Sequence, residues 1–299
     1  MQRTVIALVA LVVLIGATPS SSTSAQVHQL ILKAEKLYRS GDRPGALRAI
    51  DQALKLDPRD IAALVDRGDM RDNAGDHAGA LADYDAAIAI APTYEYAYRT
   101  KCATQFAIAK YAAAVATCTT AIALEDASTA HAYASDAYRL RGEAKFYTGD
   151  SKGTVADTSK AIALDPANTR ALAVRCDANV DLGNYVAAGP DCDKAIAVGP
   201  TFTWTFYVRG TLYNALQRWS DAQTDLQTYL KANPTDEFGR LALAQAELGL
   251  GENAPALADV DAFLAIHPDA TNGQQLRARI QAAMTPSPAP SPSPTTRGR

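Results

Sequence analysis

Residues 61–94 read IAALVDRGDMRDNAGDHAGALADYDAAIAIAPTY, and the recurrence of this stretch decides the fold. Two segments of about a dozen residues, each with apolar positions at helical spacing, flank Gly75. This predicts a helical hairpin, ended by Pro92 because proline has no N–H to continue the second helix. Working outward, the same 34-residue pattern returns on both sides. Placing Gly41, Gly75, Gly149, Gly183 and Gly251 at a fifteenth place marks units 27–60, 61–94, 95–128, 135–168, 169–202, 203–236 and 237–270. Ala109 and Gln217 take that place in the two remaining units. One insertion, 129–134, breaks the phase, and it reads equally well as a loop or as a lengthened helix.

Four further columns follow from this register. The eighth place is always small: Ala34, Gly68, Cys102, Gly142, Cys176, Gly210, Ala244. The twentieth is Ala in every unit except for Thr154, and the twenty-seventh is Ala until Tyr229 and Phe263. The thirty-second is Pro in every unit but one, where Asp126 stands. Small residues at matched places let helix axes approach closely, and a lone hairpin leaves an apolar face that only a neighbouring hairpin can cover.

At these columns the chain resembles the tetratricopeptide repeat (TPR) family, over about four-fifths of its length. The resemblance implies an all-α fold, a right-handed α-solenoid (superhelix) of seven helical hairpins. A C-terminal capping helix is expected over 271–284, with Leu276 and Ile280 on one face. Residues 285–299, dominated by Ser-Pro and Ala-Pro, predict a disordered tail. The large fourth place of the family is filled by Leu30, Leu64, Tyr98, Tyr138, Leu172 and Phe206, but by Arg240 in the last unit. Tyr229 and Phe263 are expected either to push helices apart or to fill a wider gap, and Pro190 is expected to kink its helix.

In this family the first helices line a concave groove that receives an extended or helical peptide. Its groove places fall here on Asp69 and Asp72, with Asp66 close by, then on Tyr96, Arg99, Phe106, Arg139, Phe146, Arg170, Asp177, Trp204 and Tyr207. Aromatic and Arg side chains dominate binding energy once desolvated. The competing reading has each of them packed on the adjacent repeat. The Lys/Asn/Arg set with which some members grip a C-terminal carboxylate is not reproduced: the equivalent places carry Arg99 with Ala103 and Arg139 with Glu143. This disfavours a cytosolic chaperone adaptor.

Two pair patterns cross the hairpins. Arg and Asp recur together at the seventh and twenty-third places: Arg67/Asp83, Arg141/Asp157, Arg175/Asp191 and Arg209/Asp225. These places lie opposite each other in an antiparallel hairpin, which predicts two-pronged ion pairs. Asp259 faces Leu243 and breaks the series. Cysteines occur only as Cys102 with Cys118 and Cys176 with Cys192, both sixteen residues apart. Joint occurrence and even number predict two disulfides, against the alternative of small apolar filler.

Met1–Arg3 followed by the uncharged run 5–17, with Thr23 and Ala25 at a small-residue cleavage site, makes 1–25 a signal peptide. The run is 13 residues, short of the roughly 20 a membrane-spanning helix needs. Retention as an uncleaved anchor stays open, and only then is membrane attachment expected. The chain is otherwise expected to be periplasmic or secreted. A net charge of −3 over 299 residues gives no basic footprint for nucleic acid.

No catalytic constellation, cofactor motif or metal-ligand spacing emerges: His28, His77, His131 and His267 are scattered, and no phosphate loop or nucleophile elbow occurs. The expected function is therefore that of a non-catalytic scaffold of the cell envelope, holding a protein or peptide partner in the groove. The alternative serves polysaccharide or cell-wall machinery, with glycan stacked on groove aromatics such as Trp204. An enzyme whose site is not legible in sequence is the third reading.

Overall fold

A computed structural model describes residues 21–125 and 131–285, and these form helices joined by turns, without a strand. Residues 1–20, on which most of the expected signal peptide falls, residues 126–130 with the start of the insertion, and the Pro/Ser tail from 286 lie outside the described residues. The helices are α1 (Ser21–Arg39), α2 (Arg43–Leu56), α3 (Ile61–Asn73), α4 (His77–Ile90), α5 (Glu95–Ala107), α6 (Tyr111–Leu124), α7 (His131–Tyr147) and α8 (Ser151–Leu164). They continue as α9 (Thr169–Asp181), α10 (Tyr185–Val198), α11 (Trp204–Ala215), α12 (Trp219–Ala232), α13 (Glu237–Leu250), α14 (Asn253–Ile266) and α15 (Thr271–Met284). Contacts divide the chain into two compact units, residues 1–104 and 105–299, with α5 running through the division.

Two boundaries differ from the sequence reading. The first helix starts at Ser21 rather than at Val27, since nothing between Ser21 and Gln26 breaks a helix. Residues 131–134 of the insertion form the first turn of α7, which is thereby lengthened to 17 residues. Pro190 lies inside α10, and the helix runs on through it to Val198. The carbonyl four residues before it belongs to Val186, which is 93% exposed and so open to solvent in place of the lost N–H.

The turn between paired helices explains the fifteenth place. Gly41, Gly75, Gly149, Gly183 and Gly251 all have φ between 73° and 89°. Ala109 and Gln217 adopt φ 58° there, the left-handed region that a Cβ disfavours.

Packing within each hairpin is set by the eighth and twenty-fourth places, which are matched in size. A Cβ on Gly68 would lie 2.5 Å from the Tyr84 ring, and one on Gly210 would lie 2.6 Å from Leu226. Elsewhere Ala34 shares this register with Ile50, and Ala244 with Val260, all four at 0% exposure. In the fifth hairpin the same two places hold the Cys176–Cys192 disulfide, with Cα atoms 5.6 Å apart. Cys102 and Cys118 are also disulfide-bonded.

Packing between hairpins follows a second size match. Ala at the twenty-seventh place is fully buried, as is Ala at the third place of the next unit in Ala63, Ala97 and Ala171. Where Tyr229 and Phe263 replace that Ala, the third place becomes Gly239 and Gly273. A Cβ on either would come within 2.9 Å of the ring. The rings are thus accommodated by a missing side chain, so neither helix has to be displaced.

The Arg/Asp column forms as two-pronged pairs: Arg67 to Asp83 at 2.6 and 3.0 Å, and Arg141 to Asp157 at 2.6 and 2.8 Å. Arg175 pairs with Asp191 at 2.7 Å through both nitrogens, and Arg209 with Asp225 at 2.7 and 2.9 Å. The third guanidinium nitrogen has a use the sequence reading did not find. It donates to the twenty-fifth place of the preceding unit: Asp51 from Arg67, Thr119 from Arg141, Ser159 from Arg175, Asp193 from Arg209. Lys101 reaches Asp85 in the same way at 2.5 Å, and Arg277 of the last helix reaches Asp261 at 2.7 Å. One basic residue therefore ties its own hairpin shut and joins it to the previous one. The unmatched Asp259 accepts from Arg240 at 3.2 Å. In the last unit the arginine has moved one turn back, from the seventh to the fourth place, and still serves the same carboxylate.

The final helix, α15, covers the last hairpin with Leu276 and Ile280, both buried, and turns its polar residues outward.

Candidate functional site

In residues 105–299 the odd-numbered helices touch one another in sequence, α7 with α9, α9 with α11 and α11 with α13. The even-numbered helices meet their hairpin partners and the next odd helix instead. First helices crowded together on one side place the inner wall of this unit along α7, α9 and α11. Two adjoining recesses open there. One, of about 250 Å³, is lined by Glu143, Phe146, Tyr147, Arg170, Val174, Phe202 and Trp204. The other, of about 370 Å³, shares Phe146, Tyr147 and Trp204 and adds Asp177, Val180, Asp181, Tyr207 and Thr211.

The rings are held by one another. Tyr111 at the start of α6 stacks on Tyr147 with centroids 4.5 Å apart, and Phe106 meets Tyr111 edge-on at 5.5 Å. Phe146 stands perpendicular to Tyr147 at 5.9 Å, and Trp204 leans on Phe202 at 6.0 Å. Tyr207 is backed by Tyr229 at 5.3 Å. Tyr147 nevertheless remains 56% exposed, so the wall offers ring surface that the chain itself does not cover.

Charge is distributed unevenly along this wall. The carboxylate of Glu143, with its side chain only 4% exposed, accepts from Arg139 at 2.7 Å and from Arg170. Arg139 also reaches Asp136 at 3.2 Å, and Arg170 lies over the Phe106 ring at 6.0 Å. That end is internally neutralised. At the other end Asp177 is largely buried, and burial together with the charge of Asp181 raises its pKa to about 7. Asp181 is pushed up by burial as well, against the Ser151 hydroxyl that donates to it at 3.4 Å. Burial and the nearby carboxylates raise the Tyr207 phenol to about 12.

In residues 21–104 the sequence-selected places form a different arrangement. Asp69 accepts from Tyr84 at 2.7 Å and from Tyr96 at 2.8 Å, while Arg99 lies 4.7 Å over the Tyr96 ring and 3.6 Å from Glu95. Asp72 bonds the His77 ring at 2.7 Å across the turn. These residues are committed to internal contacts, which favours the packing reading for them. Asp66 and Asp69 also border a recess of about 210 Å³ with Glu35, Tyr38, Arg39, Met70 and Asn73. Burial, then repulsion from Glu35, raises Asp66 to about 6.

Of the expected groove residues, Phe146, Arg170, Asp177, Trp204 and Tyr207 converge on one wall, with Phe106 and Arg139 supporting it from behind. The sequence reading named Glu143 only as a departure from the carboxylate clamp, and it missed Tyr147, Val174, Asp181 and Phe202. Tyr147 and Asp181 each stand four residues beyond a residue already recognised or lining the wall (Glu143 and Asp177), so an i, i+4 extension finds them. Phe202 lies in the connecting turn, where no helical spacing points to it. Among the described residues no group of three or more His, Cys, Asp or Glu side chains is placed to hold a metal ion, and no helix is long and apolar enough to cross a membrane.

Residues 31–95 match the family model of the tetratricopeptide repeat. The chain is similar to a DnaJ homolog subfamily C member 7 homolog of Schizosaccharomyces pombe, 23% identical over 77% of this chain and 43% of that protein. It is also similar to sperm-associated antigen 1 of Rattus norvegicus, 28% identical over 39% of this chain and 13% of that protein. The chain thus spans less than half the length of these curated relatives. Among solved structures it resembles a tetratricopeptide repeat protein of Parabacteroides merdae, with TM-score 0.62 and 15% identity over 86% of this chain and 99% of that one. PilF of Pseudomonas aeruginosa aligns with TM-score 0.64 and 13% identity over 76% and 99%. The APC/C hetero-tetramer Cut9–Hcn1 aligns with TM-score 0.68 and 15% identity over 86% and 51%. Residues 31–95 thus carry the tetratricopeptide repeat, and the fold of the described residues is the all-α solenoid seen in the solved TPR proteins.

Proposed function

We propose that this tetratricopeptide-repeat chain is an exported, non-catalytic scaffold that binds a protein partner along the wall formed by α7, α9 and α11. The observation that carries the reading is the pair of adjoining recesses, in which α7, α11 and the turn before α11 contribute rings, and α9 contributes Arg170 and Asp177, to a surface that remains partly open. Trp, Tyr and Phe held rigidly by neighbouring rings bind with little loss of side-chain freedom, and such anchors concentrate binding energy. An extended segment crossing α7, α9 and α11 meets rings on α7, at the turn residue Phe202 and on α11. Export is supported by the Cys176–Cys192 disulfide, because such bonds persist in oxidising compartments.

A site-specific photo-crosslinker tests the wall. Benzoylphenylalanine in place of Tyr207 is expected to attach a discrete partner polypeptide, whereas the same group in place of the exposed Lys194 on α10 attaches none. Equal labelling from both positions overturns the assignment. Attachment of glycan in place of polypeptide favours the polysaccharide reading.

A further inference from the structure

We propose that the recess between α7, α9 and α11 selects a basic segment of the partner, taking one Lys or Arg side chain with Asp177 as its counter-ion and Phe146, Tyr147, Trp204 and Tyr207 around its stem. The proposal deepens the scaffold reading and rests on it. It starts from an imbalance. Every other charged group on this wall has a partner from the chain: Glu143 has Arg139 and Arg170, and Asp181 has the Ser151 hydroxyl. Asp177 lines the larger recess, is largely shielded from water, and accepts no hydrogen bond or ion pair among the described residues. The charged group that acts on it is Asp181, another carboxylate on its own helix. From the facing helices it meets Tyr147 on α7 and Tyr207 on α11, phenols that are neutral at physiological pH. Among the described residues no basic side chain supplies the missing charge: Arg170, the cation on this wall, is held by Glu143 at the other end.

A part-buried carboxylate without a partner is unfavourable, and a cation brought in by a ligand removes that penalty. Aromatic faces around the same space attract a cation and cover a methylene stem, which gives Lys or Arg an advantage over a neutral side chain of equal length. An acidic segment is repelled by Asp177 and Asp181 together. The raised carboxyl adds a signature: a cation binds the ionised form, so binding drives off the proton and strengthens as pH rises through about 7.

The test uses the full chain and fluorescein-labelled peptides Gly-Ser-Leu-X-Leu-Ser-Gly with blocked ends, where X is lysine, acetyl-lysine or glutamate, read by anisotropy. The lysine peptide is expected to bind about tenfold or more tighter than the acetyl-lysine peptide, with glutamate weakest. Its affinity is expected to rise about tenfold from pH 6 to pH 8, since that span takes Asp177 from mostly protonated to mostly ionised. Asp177→Asn, which keeps the shape, is expected to abolish both the lysine preference and the pH dependence while leaving the melting curve cooperative. Equal binding of lysine and acetyl-lysine peptides, an unaltered preference in Asp177→Asn, or no binding by any peptide overturns the proposal. If lysine and acetyl-lysine bind equally yet Trp204→Ala weakens both, the charge assignment fails and the wall stands. If Trp204→Ala, shown folded by circular dichroism, changes neither peptide binding nor crosslinking from position 207, the wall fails too.

Discussion

At the scale of single residues, the fifteenth place shows how strongly a turn can demand one conformation. Five glycines and two non-glycines all take positive φ there, so the backbone geometry belongs to the hairpin and not to the residue that occupies it. Ala109 and Gln217 hold that geometry at a cost that glycine avoids, on the order of 1 kcal/mol each. Replacing either with Gly is expected to raise the thermal midpoint by a few degrees, and calorimetry of the two single variants and the double checks it. An unchanged or lowered midpoint would show that the left-handed turn is not strained. The aspartates make the opposite point. Asp225 and Asp177 are the same residue type on neighbouring hairpins, yet Asp225 receives two nitrogens of Arg209 and Asp177 receives no donor among the described residues. Spacing alone distinguishes them only because Asp225 has an Arg sixteen residues earlier, whereas Asp177 has Ala161 at that separation.

At the scale of elements, helices pair through complementary sizes, and the complement shifts from unit to unit. Gly210 takes Leu226, Ala244 takes Val260, Gly239 takes Tyr229 and Gly273 takes Phe263. The column of small residues was visible in the sequence. Its large counterpart was not, because Ile50, Tyr84, Thr158, Leu226 and Val260 share no obvious property until each is seen against its own partner. Gly210→Ala places a Cβ 2.6 Å from Leu226 and is expected to destabilise by about 1–3 kcal/mol in urea unfolding. Adding Leu226→Val recreates the Ala/Val pair of the last hairpin and is expected to recover much of that loss. Should the double variant be no better than the single one, the size match is not what sets the helix spacing. The same logic explains Arg240: an arginine one turn earlier still reaches Asp259, so the pair survives although its register in the sequence is broken.

At the scale of the whole molecule, several carboxyls are buried without full compensation. Asp66 is raised to about 6, and Asp177 and Glu247 to about 7, in each case first by burial. In the unfolded chain these groups ionise near their ordinary values of 3.8 and 4.5. Between about pH 4 and 7 the folded protein therefore holds more protons than the unfolded one, and stability falls as pH rises through that window. The thermal midpoint is expected to be several degrees higher at pH 5 than at pH 8, with Asp177→Asn and Glu247→Gln each flattening the slope. A midpoint that climbs from pH 5 to pH 8 would contradict the burial of these groups. For Asp177 this loss of stability near neutral pH is the feature a bound cation would reverse.

The 34-residue period, the hairpin within it, the turn at its centre and the cross-hairpin Arg/Asp pairs were all determined by the sequence, since each depends on residues at fixed separations within one continuous register. Tertiary structure alone decided which of the exposed-looking aromatics face open space. Tyr96 is drawn to Asp69 and Phe106 to its neighbouring rings, whereas Phe146, Trp204 and Tyr207 border a recess built from helices separated by whole repeats. The choice between those fates turns on side-chain partners supplied by distant units. No local pattern carries that information, because the free energy that orients each ring arises only when the hairpins pack.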